Sequence, residues 1–182
     1  GGLLPMSRSV RSGDPDNLEA QAAQRYWPML FGRGFRRDRD AEGINALLNY
    51  GYAVVRAAIA RAVVAAGLIP SLGLFHRNRS NPFCLADDLL EPYRPYVDWR
   101  VRSMVDEGEG TAPDLKEKAT RAALLSLLSE TVQIGERRLP LVLAFHASAA
   151  SLCRALTAGE LALALPKGLP VEPERLDEEA FG

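Results

Sequence analysis

Five side chains in this sequence could do chemistry that a hydrophobic core does not ask of them: Glu19, His76, Asp87, Asp88 and Glu91. Two carboxylates and an imidazole drawn from separate elements suit a hard divalent cation such as Mg²⁺ or Mn²⁺, with water and phosphate oxygens completing the shell. On a helix Asp88 and Glu91 stand at i, i+3 and Asp87 and Glu91 at i, i+4, so either pair shares a face. Like charges so placed repel in isolation and become favourable when a cation lies between them. Spacing alone leaves a plainer set of readings open: a surface glutamate, a loop histidine and a solvated acidic face. His146 belongs elsewhere, on an apolar run where a satisfied core histidine is expected.

The elements that must position these residues are helical. Asp14-Pro15-Asp16 reads as a helix start, followed by Leu18, Ala22, Tyr26 and Met29 at helical spacing. Pro28 weakens this element and Gly32 closes it. Glu19 lies one step off the apolar stripe, at the border of core and solvent. Gly32 to Asp40 is an arginine-rich loop with Arg33, Arg36, Arg37 and Arg39, of the kind that is often solvated and mobile. From Ala41 to Ala66 the pattern is strongly helical, Ile44, Leu47, Leu48, Val55, Ile59, Ala62 and Val63 forming a core face. Asn45, Asn49, Tyr52 and Arg56 form a polar stripe on the other side, readable as the lining of a substrate groove or as an ordinary solvent face.

Gly67 to Ser80 reads as an irregular link. A helix is expected from Asn81 as cap and Pro82 as first residue through Leu85, Leu89, Tyr93, Tyr96 and Val97, bent or split by Pro92 and Pro95. Pro113 to Ser129 is a further expected helix. Thr131 to Arg138 is a short extended pair turning at Gly135, and a last helix runs from about Leu139 to Ala158. The fold class is therefore all-α, a multi-helix domain with at most a short β-hairpin. Residues 1–165 form the expected helical domain, and 166–182 an acidic, flexible tail.

A hydrophobic fraction of 47% over 182 residues predicts an ordered domain rather than disorder. With 22 basic against 23 acidic residues, bulk charge announces no polyanion partner, although arginine concentrates before position 103. Cys84 and Cys153 form no CxxC pattern and sit among apolar neighbours as expected buried thiols. The longest apolar runs are broken by Arg56 and Arg61, or by His146 and serines, so no membrane span and no membrane partner is expected. Without a secretory signal the chain reads as cytoplasmic.

One set of motifs goes further. Asn45-Ala46-Leu47-Leu48-Asn49-Tyr50-Gly51-Tyr52, then Gly73-Leu74-Phe75-His76-Arg77-Asn78, then Asn81 through Pro95 read as NPFCLADDLLEPYRP, resembles the CRISPR-associated endonuclease and integrase family of spacer acquisition, particularly its type II branch. Asp14 to Trp27, read as DPDNLEAQAAQRYW, looks like that family's upstream motif, and the resemblance runs in order from about Val10 to Ala158. It implies that Glu19, His76 and Glu91 are catalytic ligands of Mg²⁺ or Mn²⁺, with Asp88 as a nearby fourth metal-binding acid. It implies a transesterification in which a DNA 3′-hydroxyl attacks a phosphodiester at the edge of the repeat array, or hydrolysis when water attacks instead.

Partners implied by the resemblance are DNA (spacer precursor, repeat array and branched DNA), a second copy of the chain, and the companion adaptation protein. Arg25, Arg56, Arg77, Arg79 and Arg94 flank the ligand-bearing elements and are the candidate phosphate contacts, with helix-surface ion pairing as their plainer reading. Members of the family carry an additional amino-terminal β-rich domain that mediates dimerisation, which has no counterpart before residue 10. The expectation is therefore a catalytic domain alone, with a non-catalytic DNA-binding or assembly fragment and a helical interaction protein as the other readings.

Overall fold

The computed structural model describes residues 14–76 and 78–168, together with Met6 and Ser9. Helix α1 spans Leu18–Phe31. Its start is held by Asp14, whose carboxylate oxygens accept the N–H groups of Leu18 (2.8 Å) and Glu19 (2.9 Å), a cap that fixes Glu19 in the first turn. Pro28 sits inside the helix and Gly32, at φ 93°, ends it. No residue of α1 is fully buried. Met29, expected in the apolar stripe, is instead 76% exposed, and the anchoring falls to Trp27 and Phe31, which stack with ring centroids 6.3 Å apart and close over Phe35.

Helix α2, Ile44–Ala65, is the central post. Leu47, Leu48, Val55, Ile59, Ala62 and Val63 are buried along it as the period required, while Ile44 at its first turn is half-buried. Each large side chain so removed from water contributes roughly 1.5–3 kcal/mol. The polar stripe divides: Tyr52 lines a cavity, whereas Asn45 and Asn49 are spent on the arginine-rich loop. Asn45 accepts the Asp38 N–H (2.9 Å) and an Arg37 guanidinium N–H (2.9 Å) and donates to the Arg36 carbonyl, while Asn49 donates to the Arg39 carbonyl at 2.7 Å. The arginine-rich loop is thereby pinned to α2 rather than free.

Helix α3, Cys84–Leu90, starts later than the Asn81 and Pro82 signal indicated. Asn81 still acts ahead of it, accepting the Phe83 N–H at 3.0 Å. The expected break at the prolines occurs: Glu91–Tyr93 is a single 3₁₀ turn, and α4 resumes at Arg94–Glu107 with Pro95 in its first turn. Helix α5 is shorter than expected, Lys118–Leu125, followed by a 3₁₀ turn over Ser126–Ser129. Strands β1 (Thr131–Ile134) and β2 (Arg137–Pro140) form the expected hairpin, with Gly135 at φ 59° in the turn.

Helix α6, Leu141–Ala158, packs against α2. A third strand was not foreseen: β3, Pro166–Lys167, pairs antiparallel with β1 and gives the order β2-β1-β3. The first residues assigned to the acidic tail are thus paired, and 169–182 lie outside the described residues. His146 is exposed on α6, not a core histidine, because the buried face runs through Leu141, Ala144, Phe145, Ser148 and Leu152. Cys84 is buried and Cys153 half-buried. By length and composition α2 and α6 could each cross a membrane, yet they are core helices here, with 56% and 39% of their apolar windows buried.

Candidate metal centre

The loop 73–76 is folded around one carboxylate. Asp88 accepts the backbone N–H groups of Leu74 (2.5 Å), Phe75 (3.0 Å) and His76 (3.1 Å), and lies 2.6 Å from Nδ1 of His76. Burial pushes the Asp88 carboxyl up, but these donors outweigh it and hold it below the ordinary carboxylate range. An ionised Asp88 beside Nδ1 favours a proton on that nitrogen, and the His76 side chain is 41% exposed. Gly73 makes the fold of this loop possible: a Cβ there would collide with the His76 carbonyl and stand 2.8 Å from Cys84 Cβ and 3.0 Å from Asp88 Oδ2.

Glu91, on the 3₁₀ turn just after α3, is exposed, and Arg94 Nε stands 3.0 Å from its Oε2 without the alignment of a hydrogen bond. Glu19 is exposed on α1. Both glutamates line one cavity of about 430 Å³ between α1 and the start of α4, whose wall also includes Tyr26, Tyr52, Arg94 and Asp98.

The predicted ligands are therefore gathered as two halves, His76 backed by Asp88 on one side and Glu19 with Glu91 on the other. Glu91 follows Asp88 by three residues, on the 3₁₀ turn after α3. Among the described residues no three acidic, histidine or cysteine side chains are yet close enough to share an ion. The donor set, two exposed carboxylates and one oriented imidazole nitrogen, nevertheless fits Mg²⁺ or Mn²⁺ by its chemistry. Asp88 fits worse as a direct ligand, since four donors already engage its oxygens; its place is behind His76.

The arginines divide as well. Arg56 is committed inside the protein: its Nε and Nη2 meet Asp87 at 2.5 and 2.8 Å, Nη2 also reaches Asn81, and the guanidinium lies 4.8 Å over the Phe83 ring. This is the ion pairing that stood as the plainer reading of this arginine. Arg94 lies over the Tyr52 ring at 4.9 Å and lines the cavity. Arg25 and Arg79 are exposed, and Arg77 lies outside the described residues.

Sequence reasoning missed Asp98. It is 3% exposed and accepts hydrogen bonds from the hydroxyls of Tyr26 (2.8 Å) and Tyr52. Burial raises its carboxyl above the ordinary range despite these two donors and the nearby Arg94 and Arg37. A usable signal was present: an aspartate between Val97 and Val101, both core positions, needs partners.

Three comparisons bear on this arrangement. A family model described as CRISPR associated protein Cas1 matches residues 16–132. A CRISPR-associated endonuclease Cas1 of Neisseria meningitidis is 51% identical over 58% of this chain and 34% of its own length, and Cas1 2 of Pyrobaculum aerophilum is 33% identical over 76% and 47%. The chain thus spans between about a third and a half of these relatives. A solved casposase bound to integration product shares the fold, with a TM-score of 0.74 at 24% identity over 98% of this chain and 57% of that one.

Proposed function

The chain belongs to the Cas1 family, and from that premise we propose that it is a metal-dependent DNA endonuclease and strand-transfer domain. Glu19, His76 and Glu91 are its cation ligands, for Mg²⁺ or Mn²⁺. The observation that carries this reading is the Asp88–His76 pair, which presents an imidazole nitrogen beside the helical path that bears Glu91. When bound, the cation supplies Lewis-acid polarisation of a phosphodiester and a lowered pKa for the attacking hydroxyl.

The chain's own residues do the rest. Asp88 holds the His76 tautomer and ring orientation. Arg94, stacked on Tyr52 beside Glu91, sets positive charge at the cavity rim, and exposed Arg25 and Arg79 contact phosphates without reading sequence. In strand transfer a DNA 3′-hydroxyl oxygen forms the new bond to phosphorus and the original 3′-oxygen leaves. With water attacking, the same exchange is cleavage. Spacer DNA and the repeat array are the proposed substrates, with branched DNA as an accessible proxy. A casposase of the same fold, bound to its integration product, is in keeping with strand transfer. A homodimer and the companion adaptation protein are proposed partners.

A second reading, a DNA-binding or assembly module without catalysis, is favoured by the two halves of the ligand set standing apart. Incubating the chain with branched DNA and Mn²⁺ separates the two. Cleavage is expected, with a loss of about two orders of magnitude in His76→Ala and in Glu91→Ala. Undiminished cleavage in both variants contradicts the ligand assignment, and no cleavage by the parent chain leaves the binding module.

A further inference from the structure

A single interval relates α1 to α4. Tyr26 and its acceptor Asp98 are 72 residues apart, and so are Leu30 and Arg102, whose Nη1 donates to the Leu30 carbonyl. Tyr26 and Leu30 share a face of α1 at i, i+4, and Asp98 and Arg102 share a face of α4 in the same sense. The two helices therefore run in the same direction, linked through these two side-chain bonds. The cavity wall draws on the same two stretches, Glu19, Ala22 and Ala23 of α1 and Glu91, Arg94 and Pro95 at the start of α4. Glu19 precedes Tyr26 by seven residues, close to two turns of α1, and Glu91 precedes Asp98 by the same number across the 3₁₀ turn that leads into α4.

We propose that Asp98, bridging Tyr26 of α1 and Tyr52 of α2, is a register lock whose task is to hold Glu19 opposite Glu91. This rests on the metal-site reading of those two glutamates. The lock is needed because α1 buries no residue fully and apolar packing alone specifies its position weakly. A slip of one turn would carry Glu19 about 5.4 Å along the helix axis, out of reach of a shared cation. Tyr52 closes the lock from the core side: it is buried, it donates to the other oxygen of Asp98, and Arg94 and Arg37 lie over its ring at 4.9 and 5.7 Å. Two hydroxyl donors and two neighbouring cations stabilise a carboxylate that would otherwise be costly to bury. Asp98 is thus a positioning residue and touches neither DNA nor the cation.

Amide hydrogen exchange on the metal-free chain, paired with Mn²⁺ titration, tests this. In Tyr26→Phe, which removes one hydroxyl and little else, exchange across residues 18–31 is expected to accelerate about tenfold while α2 and α6 keep their protection. Mn²⁺ affinity is expected to fall about fivefold or more. Asp98→Ala, which removes the acceptor for both tyrosines, should act in the same direction, and its effect on α1 exchange should be non-additive with that of Tyr26→Phe because the Tyr26 bond is common to both. Unchanged α1 exchange in Tyr26→Phe overturns the lock, as does an equal loss of protection in α2 and α6, which would mark a general stabiliser. Accelerated α1 exchange with undiminished Mn²⁺ affinity overturns the positioning role. If the parent chain takes up no Mn²⁺, the metal-site reading falls, the assigned positioning role falls with it, and exchange alone still decides whether the bond fixes α1.

Discussion

At the scale of residues, neighbouring acids have unlike tasks. Asp87 faces Arg56 and Asn81, Asp88 faces the 74–76 loop, and Glu91 faces the cavity. Burial raises the Asp87 carboxyl, but the Arg56 and Asn81 hydrogen bonds outweigh it and hold it below the ordinary range. A carboxyl depressed in the folded state stabilises the fold above its unfolded pKa of about 4, and that contribution is lost as pH falls through the depressed value. Arg56→Ala is accordingly expected to lower unfolding free energy at neutral pH by about 1 kcal/mol, a figure kept small because the guanidinium is 34% exposed. The deficit should shrink as acid protonates Asp87. Urea unfolding at pH 7 and pH 3 checks this, and a deficit that grows in acid contradicts the pairing. DNA affinity should change little, because the fork is already spent on Asp87.

At the scale of elements, two glycines set how closely the site's supports approach. Gly51 on α2 faces α4, where an added Cβ would stand 2.5 Å from Val97 Cγ1. In an exposed helix Gly→Ala gains up to about 1 kcal/mol. Here overpacking reverses the sign, and Gly51→Ala is expected to destabilise by about 1–3 kcal/mol, measurable by thermal unfolding. Gly73→Ala should leave global stability nearer the parent and displace the His76 loop, weakening Mn²⁺ uptake; equal losses in both readouts contradict that local role. Much of the arrangement was legible beforehand, since α2, the hairpin and the break at Pro92 and Pro95 follow from periodicity, turn chemistry and proline's missing donor. Illegible was what depends on distant partners. Asn45 and Asn49 look like a groove lining until their hydrogen bonds to the 36–39 loop are known, and His146 looks buried until its helix face is fixed. Of the site, the choice of Glu19, His76 and Glu91 came from motif resemblance, whereas the place of Asp88 behind His76 required the fold.

At the scale of the whole molecule, the proposed ligands come from three segments far apart in sequence: α1 with Glu19, the 73–76 loop with His76, and the α3–α4 junction with Glu91, of which Glu19 and Glu91 line one cavity. The core of α2, α4 and α6 is buried, while α1 is attached by Trp27, Phe31 and the Tyr26 bond and the loop by its bonds to Asp88. A ligand that binds the folded state alone stabilises it, by about 2.7 kcal/mol at one hundred times its dissociation constant. The most direct test is Mn²⁺ titration of the chain followed by electron paramagnetic resonance of free ion and by thermal unfolding. Saturable binding that raises the unfolding midpoint, and that is weakened separately by Glu19→Ala, His76→Ala and Glu91→Ala, is the predicted result. Binding that is absent, or indifferent to all three substitutions, would contradict a shared centre.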